Sequence, residues 1–163
     1  MKILWKLIGF LFVSVLLSAC SSMTLDNNLK QDMKEQYTTY KIVNVSSNEA
    51  ISSEVTTIFE NNLRAQLQKY GYKEGNDVVV SYDIKAFDEG NRALRMFIGF
   101  GAGKGTLSVT TTLKDKNGVN LGSVNAETTL RMGFFGGSLN NIIASTAKKT
   151  AVQIRKSRII NAH

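Results

Sequence analysis

The sequence predicts an α+β fold: an antiparallel-dominated four-stranded sheet with two helices packed on one face, in the order strand, helix, strand, strand, strand, helix. Three features predict it. Apolar and polar residues alternate with a period of two over 78–87, 106–114 and a third stretch that ends at about Arg131, and Asn117-Gly118 separates the last two. Ile51, Val55, Ile58, Phe59, Leu63, Leu67 and Tyr70 recur at helical spacing. Leu139, Ile142, Ile143, Ala147, Ala151 and Ile154 do the same near the C-terminus. Each stripe is apolar on one face only, so each element needs a second layer to bury it.

The first strand is expected over Tyr37–Val45, where β-branched and aromatic residues dominate. Ser46 and Glu49 have the spacing of a capping box, which predicts a helix start, and Gly71 is placed to end that helix. In the second strand Val78, Val80, Tyr82, Ile84 and Ala86 share one face, opposite Val79, Ser81, Asp83, Lys85 and Phe87. The third carries Leu107, Val109, Thr111 and Leu113 on one face, and the fourth Val124, Ala126, Thr128 and Leu130. A two-residue loop at Asn117-Gly118 pairs Leu113 with Gly122, Thr111 with Val124, Val109 with Ala126 and Leu107 with Thr128. Both apolar sets then fall on one face. Val119 and Leu121 fall on the other, so a bulge is expected near Gly122. The last helix is expected from about Ser138 to Ile160.

The formal net charge is +7, and with no proline the 13 glycines must make the turns. No acidic residue follows Glu127, whereas Arg131, Lys148, Lys149, Arg155, Lys156 and Arg158 do. This basic segment is either a solvated helix face with cations at the negative end of its dipole, or a surface for lipid phosphates, lipopolysaccharide or an acidic partner. No aromatic residues interleave with the cations as base stacking requires, so no nucleic acid partner is expected.

Ahead of the domain, Lys2 and Lys6 precede an apolar run from Leu7 to Leu17, shorter than the roughly 20 residues that a membrane-spanning helix needs. Leu17-Ser18-Ala19-Cys20 follows, and Cys20 is the only cysteine. This pattern resembles the type II signal peptide of bacterial lipoproteins, whose lipobox reads Leu, a small residue, Ala or Gly, then Cys. The resemblance implies that the signal peptidase recognises Leu17, Ser18 and Ala19 and removes residues 1–19. It also implies that Cys20 carries a diacylglycerol on its thiol and an acyl chain on its new amino group. At about 0.8 kcal/mol per buried CH2, two or three such chains hold a protein firmly on a bilayer. Ser21, where inner-membrane lipoproteins of Gram-negative bacteria commonly have Asp, implies sorting to the outer membrane. Residues 20–36 then read as the lipidated cysteine and a polar tether, and 37–163 as a single domain.

Two stretches rich in glycine and phenylalanine, 92–105 and 131–137, connect the second strand to the third and the fourth to the last helix. In an up-down-up meander both connections lie at one end of the sheet. Arg95, Phe97, Phe100, Lys104, Arg131, Phe134 and Phe135 then either cap the core or form an apolar, basic-rimmed patch for an envelope protein, another copy or the membrane surface. Gly103-Lys104-Gly105 lacks the upstream glycine and the following Ser or Thr of a phosphate-binding loop. The run from Gly99 to Gly105, the alternating strand after it, Lys114-Asp115-Lys116-Asn117-Gly118 and the next strand resemble an uncharacterised domain-of-unknown-function family of bacterial envelope lipoproteins. That resemblance implies a fold and a location but no activity.

His163 is the only histidine and ends the chain, so no His-Cys metal cluster or Ser-His-Asp arrangement is expected within the domain. Asp88-Glu89-Gly90-Asn91 reads as a polar turn. A non-catalytic protein without metal or cofactor is expected. It is either an interaction or accessory subunit at the outer membrane, or a module holding a small apolar or anionic envelope ligand in a cavity lined by Phe97, Phe100 and Phe134.

Overall fold

The computed structural model describes residues 21–30, 37–88, 104–131 and 139–162. In chain order these form β1 (Ser21–Asn27), β2 (Thr39–Asn44), α1 (Ser53–Lys69), β3 (Lys73–Glu74), β4 (Val78–Asp88), β5 (Lys104–Asp115), β6 (Asn120–Arg131) and α2 (Leu139–Ser157). The strands make one sheet in the order β1-β6-β5-β4-β2-β3. The expected four-stranded, antiparallel-dominated sheet is therefore corrected to a six-stranded mixed one. β2 runs parallel to β4 and to β3, because α1 returns the chain to the end of the sheet where β2 began. β1 adds itself antiparallel to β6, and it lies in the stretch expected to be a tether.

The meander β4-β5-β6 is antiparallel throughout. The four pairings expected between its last two strands are all present, from Leu113 with Gly122 to Leu107 with Thr128. The turn that sets them is not the two-residue loop. Backbone bonds join Asp115 N–H to Val119 C=O at 3.0 Å and Gly118 N–H to Asp115 C=O at 3.0 Å, leaving Lys116-Asn117-Gly118 as a three-residue loop. The Asp115 carboxylate accepts the N–H groups of Asn117 and Val119, both at 2.8 Å, and Gly118 holds φ 83°. The extra loop residue would shift every later pair by one. A bulge restores the register, because Lys114 pairs with Asn120 but Leu113 with Gly122. The bulge also places Leu121 in the core, where it is fully buried.

β4 has a bulge between Ile84 and Ala86. It puts Phe87 opposite core-facing Leu107 and leaves Ala86 exposed, so the expected assignment of Ala86 to the apolar face and Phe87 to the polar one is reversed there. Ser46, expected to cap a helix, instead accepts the Ile84 N–H at 3.0 Å, and Asn48 donates to the Lys85 carbonyl at 3.0 Å. The cap of α1 is Ser52, whose hydroxyl accepts the Val55 N–H at 3.4 Å. Gly71 ends α1 as expected: its φ is 83°, and Tyr72 N–H reaches back to Leu67 C=O at 3.2 Å.

α1 and α2 cover one face of the sheet. The Phe59 ring of α1 lies 5.0 Å from that of Tyr82 on β4, and the hydroxyls of Thr146 on α2 and Thr128 on β6 are 2.7 Å apart. The other face carries Ser81, Asp83, Thr110, Thr112, Asn125 and Glu127, all partly or fully exposed, and their polarity lets that face stay in water.

Candidate functional site

The two ends of the sheet differ in chemistry. At the first, β1 opens at Ser21, the residue after Cys20, and Ser21 pairs with Leu130. In the next register position Arg131 pairs with Lys104, and Asp88 at the end of β4 pairs with Thr106. β1 and β5 therefore begin, and β4 and β6 end, at one place, which the expected meander requires. Lys104 and Arg131 of the sequence-predicted patch are brought together in the backbone. Arg95, Phe97, Phe100, Phe134 and Phe135 lie outside the described residues, as do Leu17, Ser18, Ala19 and Cys20.

The second end is built by the exits of both helices. α2 runs back along β6: Thr146 sits at Thr128, and Gln153 accepts a hydrogen bond at 3.1 Å from Asn27, whose register partner is Val124. α1 ends beside it. Tyr70, Val152, Arg155, Lys156 and Arg158 line an open groove of about 460 Å3. The Arg155 guanidinium lies 4.8 Å above the Tyr70 ring, and the Tyr72 ring meets Tyr70 edge-on at 6.3 Å. Burial raises the Tyr72 phenol above its ordinary pKa, so it stays neutral. α2 stops at Ser157, short of the expected Ile160, because Arg158 takes a left-handed φ of 56° and turns the chain. Ile160 then bridges to Tyr37 in parallel, and Asn161 N–H donates to Tyr37 C=O at 2.9 Å. The acid-free tail pointed to these cations, but Tyr70 read only as part of the α1 stripe. Its place beside Arg155 follows from the packing of the two helix ends.

A third polar cluster has a structural explanation. Arg64 bridges Glu60 at 2.8 Å and Glu74 at 2.6 Å, tying α1 to β3. The Tyr82 hydroxyl donates to Glu60 at 3.1 Å, and burial with that carboxylate alongside drives its pKa far up, so it stays protonated. Asp83 pairs with Lys85 on the polar face of the sheet. Among the described residues no group of three His, Cys, Asp or Glu side chains could hold a metal ion, and no helix is long and apolar enough to cross a membrane.

A PelC variant dodecamer from Paraburkholderia phytofirmans shares the fold at a TM-score of 0.50 and 17% identity, covering 85% of this chain and 99% of that one. A minor lipoprotein from Acinetobacter baumannii is similar at a TM-score of 0.40 and 14% identity, over 77% of this chain and 98% of that one. A PDZ domain protein from Parabacteroides distasonis is similar at 0.48 and 10%, over 90% of this chain and 39% of that one. No curated protein matches the chain. The matching family model opens at Cys20 and closes just past β6, over residues 20–133, and the chain belongs to that family, Domain of unknown function (DUF4410).

Proposed function

We propose that the protein is a lipid-anchored envelope lipoprotein that acts at the outer membrane as a non-catalytic interaction or accessory subunit. The observation that carries this reading is the position of β1. Cys20 precedes the first residue of an edge strand, so a lipid on Cys20 would be joined to the sheet without a tether. Consecutive Cα atoms are about 3.8 Å apart, so such a lipid would hold the Ser21 end of the sheet at the bilayer surface. The segments containing Phe97, Phe100, Phe134 and Phe135 leave the sheet at that same end, beside Lys104 and Arg131. The family match beginning at Cys20 also supports a mature chain that starts there. In this reading the patch meets a neighbouring envelope protein or a second copy in the plane of the membrane. Assembly into a higher oligomer, as in the PelC dodecamer, is one form the second arrangement would take.

Cys20→Ser tests the anchor: the protein should move from the membrane fraction to the soluble one. A photo-crosslinking amino acid at Phe135 tests the patch, with Lys116 at the hairpin tip as control. A discrete adduct at Phe135 alone is expected, and its mass tells another copy from a different protein. A folded, membrane-associated protein with no adduct at Phe135 would remove the patch from the proposal.

A further inference from the structure

The groove at the joined ends of α1 and α2 has a composition that the fold alone does not require. We propose that it docks an acidic peptide segment of another envelope protein. Tyr70 and Val152, both partly buried, supply apolar contact, and Arg155, Lys156 and Arg158 supply exposed cations. The ion pairs found among the described residues join Arg64 with Glu60 and Glu74, and Lys85 with Asp83, and none involves Arg155 or Lys156. Stacking on Tyr70 holds the Arg155 guanidinium in place, so less side-chain freedom is lost when it grips a carboxylate through two parallel N–H bonds.

Position and surroundings select the occupant. The 19 residues of α2 rise about 1.5 Å each, so its C-terminal end stands on the order of 30 Å from the end where β1 begins. This step rests on the lipoprotein reading: with Cys20 lipidated, the groove faces the aqueous compartment, beyond reach of the bilayer that holds the lipid. The Tyr70 face is occupied by Arg155, leaving it closed to a stacked sugar or base. A carboxylate-bearing peptide needs only the guanidinium edges and the apolar floor.

The test uses the mature lipidated protein in neutral detergent and a fluorescein-labelled oligoglutamate peptide read by anisotropy. Saturable binding that weakens with salt is expected. Joint Arg155→Glu and Lys156→Glu replacement should weaken it about tenfold or more while the thermal transition stays cooperative. Absent or salt-insensitive binding overturns the proposal, and so does full affinity in the charge-reversed protein. Phosphatidylglycerol vesicles serve as competitor: if they displace the peptide through Arg155 and Lys156, the groove is a headgroup site instead. Peptide binding in detergent does not depend on the lipid. Loss of membrane fractionation in Cys20→Ser therefore reports on the anchor separately from the groove.

Discussion

The antiparallel meander β4-β5-β6 and the outer strands β1 and β2 belong to one sheet but are held in place by different means. In the meander, register comes from residues next to each other in the chain. Asp115 organises its own turn by accepting two N–H groups within four residues of itself, and the bulge at Leu121 follows directly. The outer strands are held by side chains remote in sequence. Asn28, just past β1, accepts the N–H of Ser123 at 2.6 Å, at the bulge of β6. At the start of β2, Asp77 accepts the N–H groups of Thr38 at 3.1 Å and Thr39 at 3.0 Å. In β4, too, the Ile84 N–H beside the bulge is taken by a residue of the outer segment, Ser46. Bulges in the inner strands thus expose backbone groups, and the outer segments satisfy them.

The largest break in this contrast is expected from Gly122→Val. A Cβ at Gly122 would stand 2.5 Å from the Asn28 carbonyl oxygen and 2.6 Å from Leu29 Cα, at a φ of +118° that suits glycine. A loss of about 3 kcal/mol or more in chemical denaturation is expected. Hydrogen exchange should show residues 21–30 released before the β4–β5 pairing.

A smaller but more pointed change is Leu29→Ala. Leu29 is buried in the core cluster, with 6% of its surface exposed. Truncation should cost about 2–3 kcal/mol. A segment acting only as a tether would show no measurable loss, so this substitution separates the two descriptions of residues 21–30.

The smallest expected effect is in the Asp77 bracket. The backbone N–H of Thr38, followed by the groups of Thr39, holds the Asp77 carboxyl below its ordinary pKa. A folded-state value below the unfolded one means that this contribution is complete above the unfolded pKa. It is lost as pH falls through the folded one. Asp77→Asn should therefore lower Tm slightly at neutral pH and flatten the decline of Tm between about pH 5 and pH 2. Because Asp77 is only partly buried, added salt should shrink the difference between the two proteins. An unchanged acid profile would show that the bracket does not hold β2.

The sequence by itself determined the local parts of this protein: two amphipathic helices, the left-handed glycine at Gly71, and the pairing of Leu107, Val109, Thr111 and Leu113 with their partners on β6. Periodicity and turn chemistry act within a few residues, so the chain carries those signals locally. It also carried the acid-free tail and the run ending at Cys20. Tertiary structure decided the remainder. β1 has a mostly polar sequence and becomes a strand because β6 offers it an edge. β2 is parallel because α1 carries the chain back across the sheet before β4 begins. Ser46 and Glu49 had the spacing of a cap, but the Ile84 N–H beside the β4 bulge competed successfully for the serine hydroxyl. The groove exists because two helices distant in sequence stop side by side, putting Tyr70 under Arg155. Contacts across such separations leave no periodic trace in the chain, since their partners are chosen by packing and by the need to satisfy every buried backbone group.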